Sequence, residues 1–279
     1  MPFNIPYSPA PDSSEMFKTH WNYIKCLNNL LTDLSITVNI STINPLDPST
    51  FTKFEKLSQI TQASIQAEVD ACEEEVAYTT VIAPWIPVKS YYRLYYLEST
   101  FLYLLCGDGS GFRNGGHTRV RNSLRGRVES GEISFDNISS QELSDISVWE
   151  AATNFTTHSG RNISTNYHLD PNCPKSVRKK IAEYIRIDWM QKNRIDNFRT
   201  KKAQYLRDTD LKLKQFLLTD YFYWMRIKAN YRDVDFLDFD NDVNVIDSYE
   251  YIKEFTESSE KYATALQDAI SQMKVNRGI

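Results

Sequence analysis

The stretch that most constrains this chain is YYRLYYLESTFLYLLCG, positions 91–107, which is apolar on nearly every side when wound as a helix. An amphipathic helix hides one stripe, whereas a helix apolar all round has to be covered on several faces, so this segment predicts a central helix with neighbours packed around it. From Tyr91 to Cys106 the run is too short for a membrane span, and it holds Arg93 and Glu98. Glu98 is out of keeping with its surroundings. A carboxylate there needs a cationic or hydrogen-bonding partner, because burying it unpaired is costly or forces it to take up a proton.

The segments on either side keep a helical period. Met16, Trp21, Tyr23, Ile24, Leu27, Leu30 and Leu31 mark an amphipathic helix over 15–34. The alternating run Ile36-Thr37-Val38-Asn39-Ile40 is one edge strand or an extended connector, and Pro45 and Pro48 then break the chain. Phe51, Phe54, Leu57, Ile60, Ala63 and Ile65 predict a second helix from about Thr50 into Glu75. The turn Ala83-Pro84-Trp85-Ile86-Pro87 precedes the central helix. Further helices are expected from Ser139 or Ser140 past Trp149, from Ser176 to about Leu206, from 208 to 232, and from Tyr249 to Met273. The expected fold is therefore all-α, a helical bundle of about seven or eight helices with at most a minor extended segment near residues 35–41. Three regions are expected: an N-terminal helical region over 1–84, a helical domain over 85–207, and an acidic helical extension over 208–279.

Composition bounds the function classes. In 279 residues, 41% are hydrophobic and 13% aromatic, enough for a large core. The cysteines at 26, 72, 106 and 173 have neither paired spacing nor the density of a disulfide scaffold, so reduced thiols are expected, with no zinc site and no cofactor. The opening MPFNIPYSPAPDSSEMF has prolines and acids where a signal peptide needs a basic start and an apolar run, so a soluble, cytoplasmic protein without a membrane partner is expected. The formal charge of −4 is unevenly spread: eleven Lys or Arg face three acids between Lys175 and Arg207, against fourteen acids and nine bases from Asp208 onward. Local charge decides what binds, so a polyanion remains an eligible partner. The acidic DFDNDVN run lacks the Gly and terminal Glu of an EF-hand loop.

Two stretches carry candidate chemistry. GDGSGFRNGG, positions 107–116, holds five of the nine glycines and should be mobile; it follows a helix and has no G-x-G-x-x-G spacing, so it is a poor dinucleotide loop. After it, HTRVRNSLRGRVESG places His117, Arg121 and Arg125 on one helical face, with Arg119 and Arg127 alongside. That face is a phosphate-binding ridge or a solvated basic surface, and Arg113 with His117 is a possible alternative working centre.

The second stretch is Arg161-Asn162-Ile163-Ser164-Thr165-Asn166-Tyr167-His168. A guanidinium clamps a phosphate through paired donors and an imidazole moves a proton near neutral pH, which together make a metal-free apparatus for breaking a phosphodiester. On one helix the two residues would stand about 10 Å apart along the axis; a non-helical turn brings them closer. WEAATNFTTHSGRNISTNYHLDPN, with YYRLYYLESTFLYLLCG and GGHTRVRNSL before it, resembles the HEPN superfamily of all-helical ribonucleases, whose active site is an R-x4-6-H motif with a polar residue after the Arg.

The resemblance spans about residues 85–206. It implies that Arg161 binds the scissile phosphate, His168 serves in proton transfer or phosphate contact, and Asn162 orients the pair. It also implies RNA as substrate, the ribose 2′-hydroxyl as nucleophile, no metal, and a composite active site across a homodimer. A role as a toxin or antiviral (abortive-infection) effector follows from the family's defence members, with an antitoxin or sensor protein as a possible partner. Glu98 then orients a motif residue such as Arg161, forms a core ion pair with one of several arginines, or lies on a helix face wetter than its segment suggests, and His158 is either a second proton-transfer group or a plain loop residue. The alternative function is a non-catalytic helical module that binds nucleic acid or a protein.

Overall fold

The computed structural model describes residues 31–39, 47–109, 116–136, 189–211, 217–227 and 245–279, together with positions 21, 24, 25, 27, 28, 186, 187 and 229. Of these residues 79% are helical, and they form eight helices, counting one 3-10 turn, beside a two-stranded sheet. The all-α architecture is the one the periodicities predict.

Helix α1 (Pro48–Glu74) begins where Asp47 accepts hydrogen bonds from the Ser49 backbone N–H (3.0 Å) and hydroxyl (2.8 Å), with Pro48 at the first helical position. Its buried residues are Phe51, Ser58, Ile65 and Cys72, one every seven positions, which is the narrow seam of a helix laid along another helix. A 3-10 turn (Val76–Tyr78) and the short α2 (Thr79–Ile82) lead into α3 (Ile86–Cys106). Phe51 meets Tyr103 while Lys89 bonds Ser64 and pairs with Glu68, so α1 and α3 run antiparallel.

Helix α3 is central, as expected: 16 of its 21 residues are buried. It stops at Gly107, whose φ of 72° is the left-handed conformation that favours glycine and whose N–H returns to the Tyr103 carbonyl at 2.8 Å. The last helix, α7 (Val245–Arg277), packs along another face of α3. There the buried Arg93 guanidinium grips Glu260 with both terminal nitrogens, and the Ser259 hydroxyl donates to Ser90 at 3.3 Å. Helix α4 (Gly116–Glu129) and the later α6 (Leu218–Ile227) also pack against α3.

The extended run is a strand. β1 (Ser35–Val38) pairs antiparallel with β2 (Ile133–Asp136), Ile36 opposite Phe135 and Val38 opposite Ile133. The sequence reading has no strand at 133–136. The turn at Gly131, φ 75°, brings β2 back from the end of α4 to meet it.

Two expected elements differ. The helix expected over 208–232 is not continuous: Asp210 and Leu217 stand outside any helix, and α6 spans Leu218–Ile227. The helix predicted from Ser176 to about Leu206 is interrupted between 193 and 200, and a new helix, α5 (Lys201–Thr209), starts after it. Arg194 adopts the left-handed conformation (φ 54°), with its N–H bonded to the Gln191 carbonyl (3.2 Å) and the Ile195 N–H to that of Met190 (2.9 Å). This is a Schellman stop, with arginine where glycine is usual. Thr200 then caps α5 by accepting from the Ala203 N–H at 3.2 Å.

Residues from all three expected regions share one core, in which Phe222 of α6 stacks on Tyr262 of α7 (5.9 Å between centroids, 15°) and meets Phe255 edge-on. Cys72 and Cys106 are free thiols. No described helix is long and apolar enough to cross a membrane.

Candidate functional site

His117, Arg121 and Arg125 do share a face of α4, and that face turns inward toward α3 and α6. Asp220, the third residue of α6, is the reason. Its carboxylate is buried, accepts from the Leu217 backbone N–H at 3.2 Å as a helix-start cap, and receives Arg121 (3.3 Å) and Arg125 (2.8 Å). Two guanidinium groups thus lean on one carboxylate.

The next turn of α6 adds a third cation. Arg226 lies 5.1 to 5.8 Å from the ring centroids of Tyr91, Tyr92 and Tyr223, and its Nη2 donates to the Tyr92 hydroxyl at 3.3 Å. Arg121 covers the Tyr223 ring at 3.8 Å. Such guanidinium-on-ring contacts are each worth about 0.5–2 kcal/mol, increasing as water is excluded. Arg226 has no carboxylate partner among the described residues.

His117 fills the corner between these groups. Its ring centroid is 4.1 Å from that of Tyr95 and 5.5 Å from those of Tyr91 and Tyr92, and its Nδ1 is hydrogen-bonded to the Tyr91 hydroxyl at 3.0 Å. Burial, then the charges of Arg226 and Arg121, push its pKa down to about 4, so the imidazole is neutral at neutral pH. Burial also lifts the Tyr91 hydroxyl far above the ordinary tyrosine range.

Beneath this layer lies Glu98. It accepts from the hydroxyls of Thr219 and Tyr262, each at 2.9 Å, and among the described residues it forms no ion pair. Burial raises its pKa to about 8, against the lowering effect of those two hydrogen bonds, with Asp220 reinforcing the rise. Glu98 is therefore hydrogen-bonded and protonated at neutral pH, a neutral pin between α3, α6 and α7. Among the described residues these contacts are not a core ion pair; the Arg161 reading falls on a residue outside them.

Among the remaining expected site residues, Arg119 is exposed. Arg127 pairs with Glu132 across the turn into β2, away from the cluster. Arg161, Asn162, His168 and His158 lie outside the described residues, as do Arg113 and the acidic DFDNDVN run. Sequence reasoning missed Asp220, Tyr223 and Arg226; their spacing of three along TDYFYWMR is the signal that puts them on one helical side.

The chemistry available at this cluster is binding. Among the described residues it offers the guanidinium groups of Arg121 and Arg226, tyrosine rings at half-buried positions 92 and 223, and an imidazole without charge. A cavity of about 350 Å³ lies elsewhere, between β1 and the end of α7, lined by Ile36, Val38, Met273, Asn276 and Arg277 among others. Among the described residues no group of His, Cys, Asp or Glu is arranged to hold a metal ion. No family model matches the chain, and neither a curated protein nor a solved structure matches it.

Proposed function

We propose that this protein acts on RNA as a metal-independent endoribonuclease of the HEPN kind, in the setting of a toxin or antiviral effector. Arg161 holds the scissile phosphate, His168 moves the proton, Asn162 orients the pair, and the 2′-hydroxyl attacks. The observation that supports an RNA partner is the cation–aromatic layer: Arg121 and Arg125 on Asp220, and Arg226 among tyrosine rings, flanked by the exposed Arg119. Guanidinium charge attracts the phosphate backbone, and aromatic rings stack on unpaired bases. The composite cleft of a homodimer, and an antitoxin or sensor partner, belong to the same proposal.

Mixed RNA incubated with the purified chain in EDTA tests it. Cleavage is expected from the unaltered chain and not from Arg161→Ala or His168→Ala; cleavage that survives both substitutions removes those residues from the active site.

One observation favours a second reading. The described cluster is built to bind and not to transfer protons, since His117 is neutral and its Nδ1 is occupied by Tyr91. A helical module that binds RNA without cutting it fits the same surface. RNA retained without cleavage under the same conditions would support it.

A further inference from the structure

Arg226 presents an imbalance that the described residues do not resolve. Its guanidinium is half-buried, three tyrosine rings surround it, no carboxylate neutralises it among the described residues, and its Nε is buried with no acceptor. The Nε of Arg121, beside it over Tyr223, is buried without an acceptor as well. Ring faces offset part of the lost hydration of a guanidinium, and an anion offsets the remainder. The Tyr91 hydroxyl retains its proton and has no bonded acceptor other than His117 Nδ1 among the described residues, so it donates there and leaves the imidazole proton on Nε2. The imidazole then offers a neutral donor next to two cations.

We infer that Arg226, His117 and Arg121, together with the rings of Tyr92 and Tyr223, form a site for one nucleotide unit, the guanidinium of Arg226 taking its phosphate and the half-buried rings taking its base. The planar fork of arginine matches two oxygens of a phosphate, and a tyrosine face accepts any base. The unit is an internal residue of an RNA chain or a free nucleotide; both present the same phosphate and ring. The site deepens the RNA-binding part of the proposed function and does not depend on cleavage.

The full chain carrying Arg161→Ala, in EDTA, is titrated with a dye-labelled oligouridylate, with uridine 5′-monophosphate and with inorganic phosphate. Arg226→Gln is expected to weaken oligouridylate at least about tenfold and to lower the slope of log affinity against log salt by about one. Tyr92→Ala weakens the oligonucleotide and leaves inorganic phosphate unchanged. Loss confined to the oligonucleotide assigns the site to a chain phosphate, and equal loss with uridine 5′-monophosphate assigns it to a free nucleotide.

In the chain with Arg226 intact, added phosphate shifts the His117 ring resonances and raises its pKa, a readout that needs no Arg226 variant to fold. Unchanged affinity and salt slope in Arg226→Gln, with His117 resonances unmoved by phosphate, overturns the site. A glutamate-rich peptide bound as tightly as the oligonucleotide overturns its nucleotide assignment. RNA held through Arg226 yet never cut by the unaltered chain sinks the cleavage reading alone. Cleavage by a chain whose RNA affinity ignores Arg226→Gln sinks this site alone.

Discussion

Glu98 and His117 are shifted in opposite directions by one cause, since removal from water disfavours whichever form carries charge: the carboxyl rises to about 8 and the imidazole falls to about 4. For Glu98 the folded chain keeps a proton that the unfolded chain releases near 4.5, so its contribution to stability is complete below that pH and is lost as pH rises toward 8. The loss can reach about 1.4 kcal/mol for each pH unit across that window. Glu98→Gln removes the titration while keeping the shape. Melting temperatures of the natural chain should therefore fall relative to the variant from pH 5 to pH 8; parallel curves would show that Glu98 does not hold its proton. His117 has the opposite sign, with stability present above 6.5 and lost as pH falls through 4. Since Arg226 is the largest charge acting on it, Arg226→Gln should move the imidazole pKa upward in an NMR titration, and an unmoved value would leave burial and Arg121 as the causes. That Glu98 would need hydrogen bonds or a proton was legible in its own segment. Its partners Thr219 and Tyr262, more than a hundred positions away, were not, because a period describes one helix and not what packs against it.

At the scale of elements, α3 is held to α7 by a polar clamp inside an apolar interface. Arg93 is almost wholly buried while Glu260 is partly exposed, so truncation of the acid strands a guanidinium that water cannot reach. Glu260→Ala should lower the unfolding free energy in urea by about 2–3 kcal/mol, whereas the same truncation at the solvent-facing pair of Glu257 and Lys261 should cost under about 1 kcal/mol. Similar losses at the two sites would mean that burial of Arg93 adds nothing. Arg194 offers the reverse test. Its left-handed backbone disfavours any side chain, so Arg194→Gly should stabilise by about 0.5–1 kcal/mol, and a loss would show that its side chain contributes more than the strain removes. The same residue explains why periodicity alone over-extends the 176–206 helix. Asn193 is only a weak stop signal and Arg194 is none, so the stop is written in backbone hydrogen bonds. The strand at 133–136 escaped for a related reason: ISFD is too short to declare a period, and it becomes a strand through pairing with Ser35–Val38. The start of α1 and the end of α3 were legible because Asp47-Pro48 and Gly107 punctuate them locally, whereas α3 starts at Ile86, inside the stretch that its two prolines mark as a turn, because Pro87 fits the first turn of a helix.

Over the whole molecule, α3 joins the three expected regions, with α1 from the first and α6 and α7 from the last packed against it in one core. That arrangement was legible in outline, because a helix apolar all round has to be surrounded. The candidate binding layer was half legible: the α4 arginines announce themselves by spacing of four, while Asp220 and Arg226 lie hidden in an aromatic run that reads as core. In the proposed function the catalytic motif acts in pairs, and this sets a prediction for the assembly. If each cleft requires Arg161 and His168 from two chains, a dimer with one Arg161→Ala chain lacks half of its apparatus. Co-expressing natural and Arg161→Ala chains in equal amounts then leaves about one quarter of the dimers fully natural, and cleavage per total protein should fall to about a quarter of the natural rate. Independent sites would instead leave about half. A ratio of one half, or a single chain by light scattering under cleaving conditions, would place the whole active site within one protomer.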